Sequence, residues 1–402
     1  MDVVAGYLQL GLRFDRLERG FVDAWTGPAA LRAEVESGPL PRAADLQRRA
    51  QELRRELPSA GLAPQRERWL DGQLAALACS ARVLDGQPVA YLDQVQTWFE
   101  VRPELGEEAT YADAHAELDL LLPGGGPLLE RYTAYRDGQS VPPDRLAEAV
   151  REVSTLLRGR ARTAFALPAD EVVEYEVVSD RPWAGFNTYL GGFRSSVAVN
   201  ADLPVGLGSL PALVAHESYP GHHTERCRKQ VSQRALPEYD LWLVNTPENL
   251  VAEGLADLGL AALDLLDWGP VVGELYADLG IAYDGELGQR IARAAAPLGA
   301  VRQDAALLLH DRGASVEQVE AHLGRWALQS PDRARKTVAF LTDPLWRAYI
   351  STYVEGERLL SRWLADRPAG APAAPRFARL LDEQLTPGGL QEELAASAAS
   401  RA

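Results

Sequence analysis

The chain has 402 residues, 47% hydrophobic and 24% charged, ordinary globular values that exclude a disordered, collagen-like or disulfide-stapled protein. Its 57 acidic residues outnumber 41 basic ones, for a net charge of −16. That charge repels nucleic-acid phosphates and anionic membrane surfaces, so neither is an expected partner and a small ligand is.

At this length two or three domains, or one helical protein of two lobes, are expected. From Tyr7 to about Pro168 the apolar spacing is helical, as at Leu146, Val150, Val153 and Leu157 behind the N-cap Asp144. Breaks at Thr26-Gly27-Pro28, Gly38-Pro39-Leu40-Pro41 and Pro123-Gly124-Gly125-Gly126-Pro127 are too short for linkers. Residues 1–170 therefore read as an N-terminal helical lobe and 171–402 as a catalytic lobe, the two integrated in one body.

After Pro168 the period changes. Val172, Val173, Tyr175, Val177 and Val178, then Phe193 to Val199 behind the Gly191-Gly192 turn, predict a small antiparallel sheet between 171 and 200. Helix starts are predicted at Ser209 with Pro211, at Thr246-Pro247 and at Asp343-Pro344. The stretch from Thr246 to Trp268 reads as one helix, and the last thirty or so residues as one more helix with a frayed end. Only Cys79 and Cys227 occur, which argues against a disulfide framework. The first residues lack a signal-peptide pattern and no apolar run approaches the roughly 18 residues of a membrane span. A cytoplasmic protein is the expectation; the sequence leaves its oligomeric state open.

Three of the six histidines fall within His216-Glu217-Ser218-Tyr219-Pro220-Gly221-His222-His223. Zinc enzymes of the H-E-x-x-H type place two histidine ligands one helical turn apart, with the Glu between them free to deprotonate a water. Here Pro220 occupies the second histidine's place. On an unbroken helix His216 and His223 would share a face but lie about 10.5 Å apart along the axis, too far for one ion with bonds of about 2.1 Å. Pro220 clashes with the carbonyl of His216, so the helix must kink or bulge, which Gly221 makes cheap. A bulge of two residues over Ser218 to Gly221 brings His222 into the second ligand position; one of three brings His223. The bland reading is a solvated, histidine-rich helix end stopped by Pro-Gly.

Glu253 and Asp257 stand one turn apart on the helix after Thr246, with Asp264 on the same face. This is either a solvated polar stripe or a carboxylate ligand followed by a carboxylate that orients a ligating imidazole. Two His and one Glu would leave a fourth position for water.

The motif His216 to His223, with Glu253-Gly254-Leu255-Ala256 after it, resembles the bacterial family called domain of unknown function 885, whose signature is H-E-x-x-P-G-H-H followed by E-G-[WL]-A. The resemblance extends to Tyr7 to Pro28, to Asn187 to Pro204 and to Tyr353-Val354-Glu355-Gly356. It implies a mainly α, two-lobed metallopeptidase-like fold, similar to the helical peptidases that use H-E-x-G-H. Aligning Gly221-His222 with the Gly-His of that motif makes His222 the second ligand, beside His216 and Glu253, for Zn2+.

The expected activity is a zinc-dependent hydrolase of short peptides with Glu217 as general base. The rivals are a hydrolase of a non-peptide amide or other C–N bond, and a helical binding protein with a vestigial metal. His223 is then free to line the cleft and donate to the substrate. Tyr353, on a stripe with Tyr349, is either a core tyrosine or a donor to the oxyanion, and Tyr349 is a candidate for binding substrate. Arg194 is a surface arginine or a clamp for a substrate carboxylate. Glu225 is a solvated charge, a support to the ligands like Asp257, or a substitute ligand. His115, His310 and His322 are expected to be surface or satisfied core residues.

Overall fold

The computed structural model describes residues 2–179, 185–201 and 205–401. The positions 180–184 of the expected sheet and 202–204 of the Asn187 to Pro204 segment lie outside them. The chain is mainly helical. α1 (Val3–Leu17), β1 (Val22–Trp25), α2 (Ala29–Ser37), α3 (Ala43–Glu56) and α4 (Pro64–Leu84) open it, and α5 (Tyr91–Phe99), α6 (Glu108–Leu121), α7 (Leu128–Gly138) and α8 (Leu146–Phe165) lead to the sheet. In α8 the residues Leu146, Val150, Val153 and Leu157 are all buried, the stripe that their spacing predicts.

The sheet consists of β2 (Val172–Val178), β3 (Gly185–Gly191) and β4 (Arg194–Asn200) in the order β2-β4-β3. It is mixed, which corrects the expectation of an antiparallel one: β3 and β4 form an antiparallel hairpin, but β2 pairs parallel to β4. Burial decides the order. Val197 and Val199 of β4 are almost completely buried, so β4 takes the centre, and β2, which runs opposite to β3, must lie parallel to it.

Past the sheet come α9 (Leu210–Glu217), α10 (His222–Ser232), β5 (Leu241–Leu243), α11 (Pro247–Asp257), α12 (Gly259–Ala262), α13 (Trp268–Asp278) and α14 (Gly285–Ala295). The C-terminal part holds α15 (Val301–His310), α16 (Val316–Trp326), α17 (Pro331–Thr342), α18 (Ile350–Ala365), α19 (Ala374–Asp382) and α20 (Pro387–Arg401). Several boundaries correct the sequence reading. The stretch from Thr246 to Trp268 breaks after Asp257, and Asp264 has a left-handed backbone outside any helix. Asp343 caps a turn through the amides of Leu345 and Trp346, while the helix itself starts at Ile350. Two helices, not one, close the chain. β1 interrupts the half expected to be helical; its partner β5 lies far along the chain, where no local pattern could announce it.

Two buried apolar clusters organise the fold. One joins α1, α3 and α4 to β5, Leu345 and Tyr349; the larger runs from α5 through α8, β4, α9, α11 and on to α18 and α19. Residues from both sides of position 170 enter each cluster, and Tyr353 packs against both. Among the described residues no helix is long and apolar enough to cross a membrane.

Candidate metal centre

The helix carrying His216 does not run straight on. α9 ends at Glu217, the Tyr219–Pro220 peptide is cis, and α10 begins at His222. The amide of Gly221 reaches the carbonyl of Ala215 at 2.9 Å, and that of Thr224 reaches Ser218 at 3.1 Å. Each bond spans six residues where an α-helix spans four, so two residues are inserted. A Cβ on Gly221 would sit 1.9 Å from the carbonyl oxygen of His216, so only glycine can close the loop this tightly.

The inserted loop brings His222 beside His216, with their Nε2 atoms 3.1 Å apart. Glu253 of α11 completes the group: its Oε2 lies 3.4 Å from His216 Nε2 and its Oε1 3.5 Å from His222 Nε2. These spacings match the edge of about 3.4 Å of a tetrahedron of donors bound at about 2.1 Å. Asp257 Oδ1 lies 2.8 Å from His216 Nδ1, which makes Nδ1 the protonated nitrogen and leaves the Nε2 lone pair facing the other two donors. Glu253 Oε2 is buried without a hydrogen-bond partner. Converging lone pairs and an orphaned carboxylate oxygen fit a bound cation, and among the described residues His216, His222 and Glu253 form a group able to hold one.

His216 and Glu217 lie on the wall of a cleft of about 1150 Å³, together with Asp257 and Tyr353. The side-chain amide of Asn187 donates to the Glu217 carbonyl at 2.7 Å, fixing the end of α9. Burial pushes the Glu217 carboxyl up to about 7, against the pull of His216. Tyr349 donates to Glu253 Oε1 at 2.9 Å. Burial, then the charge of Glu253, holds both Tyr349 and Tyr353 well above the ordinary phenol range, so each remains a donor.

Three expected site residues lie elsewhere. His223, expected in the cleft, is 0% exposed; its Nδ1 lies 2.8 Å from Ser195 Oγ and its Nε2 3.2 Å from Glu171 Oε2. Consecutive residues at a helix start point about 100° apart, so placing His222 at the centre turns His223 into the core. Glu225 is buried too, paired with Lys229 at 2.7 Å. Arg194 pairs on the surface with Glu174, its side chain 51% exposed. His115 and His310 bond to backbone carbonyls, and His322 lies 3.9 Å from Asp304.

Glu171, which no motif singles out, anchors the inserted loop from below. It accepts from Tyr219 Oη at 2.6 Å and pairs with Arg158 and Arg162 at 2.7 and 2.8 Å. Burial pushes its carboxyl up, but hydrogen bonds from His223, Tyr219 and the two arginines prevail and hold it at about 2. In sequence it is one acid before a strand.

No protein-family model and no curated protein matches the chain, so the family resemblance rests on the motifs themselves. Two solved structures share the fold. A candidate lipoprotein of Colwellia psychrerythraea is 16% identical at a TM-score of 0.53, over 88% of this chain and 66% of that one. A candidate lipoprotein of unknown function from Shewanella oneidensis is 13% identical at 0.51, over 91% and 76%. The chain thus spans about two thirds of the length of the first. An M32 carboxypeptidase of Deinococcus radiodurans R1 is 13% identical at a TM-score of 0.41, over 98% and 94%.

Proposed function

We propose that the chain is a zinc-dependent hydrolase of short peptides. The observation that carries this reading is the convergence of His216, His222 and the Glu253 carboxylate at the wall of a cleft that Glu217 also lines. A purely structural site has no use for a carboxylate between its ligands, which speaks against a vestigial metal. Two imidazoles and one carboxylate suit zinc and leave a fourth position open. When bound, zinc supplies Lewis acidity, polarising a carbonyl and lowering the pKa of a water.

The remaining work falls to side chains. Glu217 takes the proton of the attacking water and returns it to the leaving amine. Tyr353, held protonated, donates to the oxygen on which negative charge develops. Asp257 keeps His216 in the tautomer that ligates. The compartment we propose is the cytoplasm, because Cys79 and Cys227 are both free and buried; cell fractionation tests this, and recovery with the membranes would refute it.

The test of function is metal content by mass spectrometry together with a screen of di- and tripeptides. We expect about one zinc per chain and amino-acid release that stops on chelation. A zinc-loaded protein that cleaves only non-peptide amides would move the reading to the wider class of C–N hydrolases. One that binds no zinc would end both.

A further inference from the structure

The cleft has a second wall of opposite character. Four basic side chains line it, Arg293, Arg302, Lys336 and Arg358, in a chain whose net charge is −16. Arg293 is engaged by Asp267 and Arg358 by Glu355. Arg302, in the first turn of α15, and Lys336, on α17, have no carboxylate within ion-pair distance among the described residues.

Three acids share the cleft with them, none within ion-pair distance of Arg302 or Lys336 among the described residues. Asp257 is held by His216, Glu217 is the proposed base, and Glu357 is exposed. The two cations come from a separate layer. α17 packs on α15 and α16, and α15 on the helix of Tyr353, whereas α9 packs on α8, α11 and α12. Tyr353 lies near both groups: its ring is 6.4 Å from that of His216, and the charge of Arg302 acts on its phenol.

We propose that Arg302 and Lys336 bind a free carboxylate, so that the substrate is a short peptide or acyl-amino acid with an unblocked C-terminus. This rests on the hydrolase reading. Arg302 and Lys336 are exposed on the cleft wall; two unpaired cations there attract an anion at a distance, and the guanidinium fixes its orientation by paired hydrogen bonds. Anchored there, the substrate extends along the cleft that Glu217 and His216 also line. A volume of about 1150 Å³ accommodates a few residues.

The test compares an N-acylated dipeptide as the free acid with its C-terminal amide, on the zinc-loaded protein. We expect kcat/KM for the free acid to exceed that for the amide by about ten- to a hundredfold, the usual effect of one or two charge-assisted hydrogen bonds. In Arg302→Gln/Lys336→Gln the KM for the free acid should rise to that for the amide, with zinc content unchanged. Equal rates on the two forms in the wild type, or a preference that survives in the double variant, would overturn the proposal while leaving the hydrolase intact. If neither form is cleaved, calorimetry decides separately. Tighter binding of the free acid, abolished in the double variant, keeps the carboxylate site although the hydrolase reading falls; equal binding ends the proposal.

Discussion

Gly254 of α11 and Gly356 of α18 cross backbone to backbone: a Cβ on Gly254 would lie 2.6 Å from the carbonyl carbon of Gly356. The crossing presses the helix that carries Glu253 onto the helix that carries Tyr353. It gives a physical reason for glycine beside Glu253 and beside Glu355. Gly254→Ala must drive the two helices apart, since the obstacle is backbone and cannot rotate away. Overpacking of this kind costs about 1–3 kcal/mol. We expect a lower Tm and weaker zinc retention in the same variant; an unchanged Tm would show that the helices separate without cost.

Tyr349 bonds to the ligand and Tyr353 faces the cleft, so their variants should part. Tyr349→Phe removes the donor to Glu253 Oε1, and loss of such a partner typically lowers metal affinity about 10- to 100-fold. Tyr353→Phe should leave zinc in place and lower kcat by about 100-fold, the scale for one oxyanion donor. Zinc titration and steady-state kinetics on both proteins check the split; identical behaviour would remove the distinction.

How much of this was legible in the sequence depended on the range of the interaction involved. Pro220 and Gly221 act on carbonyls a few residues away, so the interruption of the helix could be read locally, while its length stayed open between two and three residues. Glu253 and Asp257 were legible as a pair because one helical turn separates them. The outward turn of His222 and the inward turn of His223 were not, because the choice depends on Ser195 and Glu171, which arrive from the sheet. For the same reason the pairing of β2 with β4 and of β1 with β5 could not be read. Glu171 itself became significant only once Arg158, Arg162 and Tyr219 were seen around it.

Glu217→Gln removes the proton acceptor and keeps the shape. We expect zinc content and Tm to match the wild type while turnover falls by at least about 100-fold. Wild-type hydrolysis in that variant would place the base elsewhere.

His222 and His223 are neighbours in sequence with opposite surroundings. His222→Ala should lose zinc with little effect on the fold. His223→Ala leaves Glu171 and Ser195 short of a partner inside the core and opens a cavity, a loss of about 2–4 kcal/mol, yet should keep zinc. Denaturation and metal analysis of both variants read the contrast, and zinc lost only from His223→Ala would reverse the ligand assignment.

Glu171 should make the fold sensitive to acid over a defined window. Its folded carboxyl titrates at about 2, below the roughly 4.3 of a free glutamate. A depressed acid contributes stability that is fully present above its unfolded pKa and is lost as pH falls through the folded one. Glu171→Gln replaces the anion between Arg158 and Arg162 by a neutral amide, so at pH 7 the variant should be less stable by about 2–3 kcal/mol. As the pH is lowered from 5 toward 2 the wild type protonates Glu171 and the gap should close. Zinc loss at low pH affects both proteins alike and cancels in the difference. Urea unfolding of the pair at pH 7, 4 and 3 measures it; a gap that stays constant through that range would show that the charge of Glu171 does not hold the loop of Tyr219 in place.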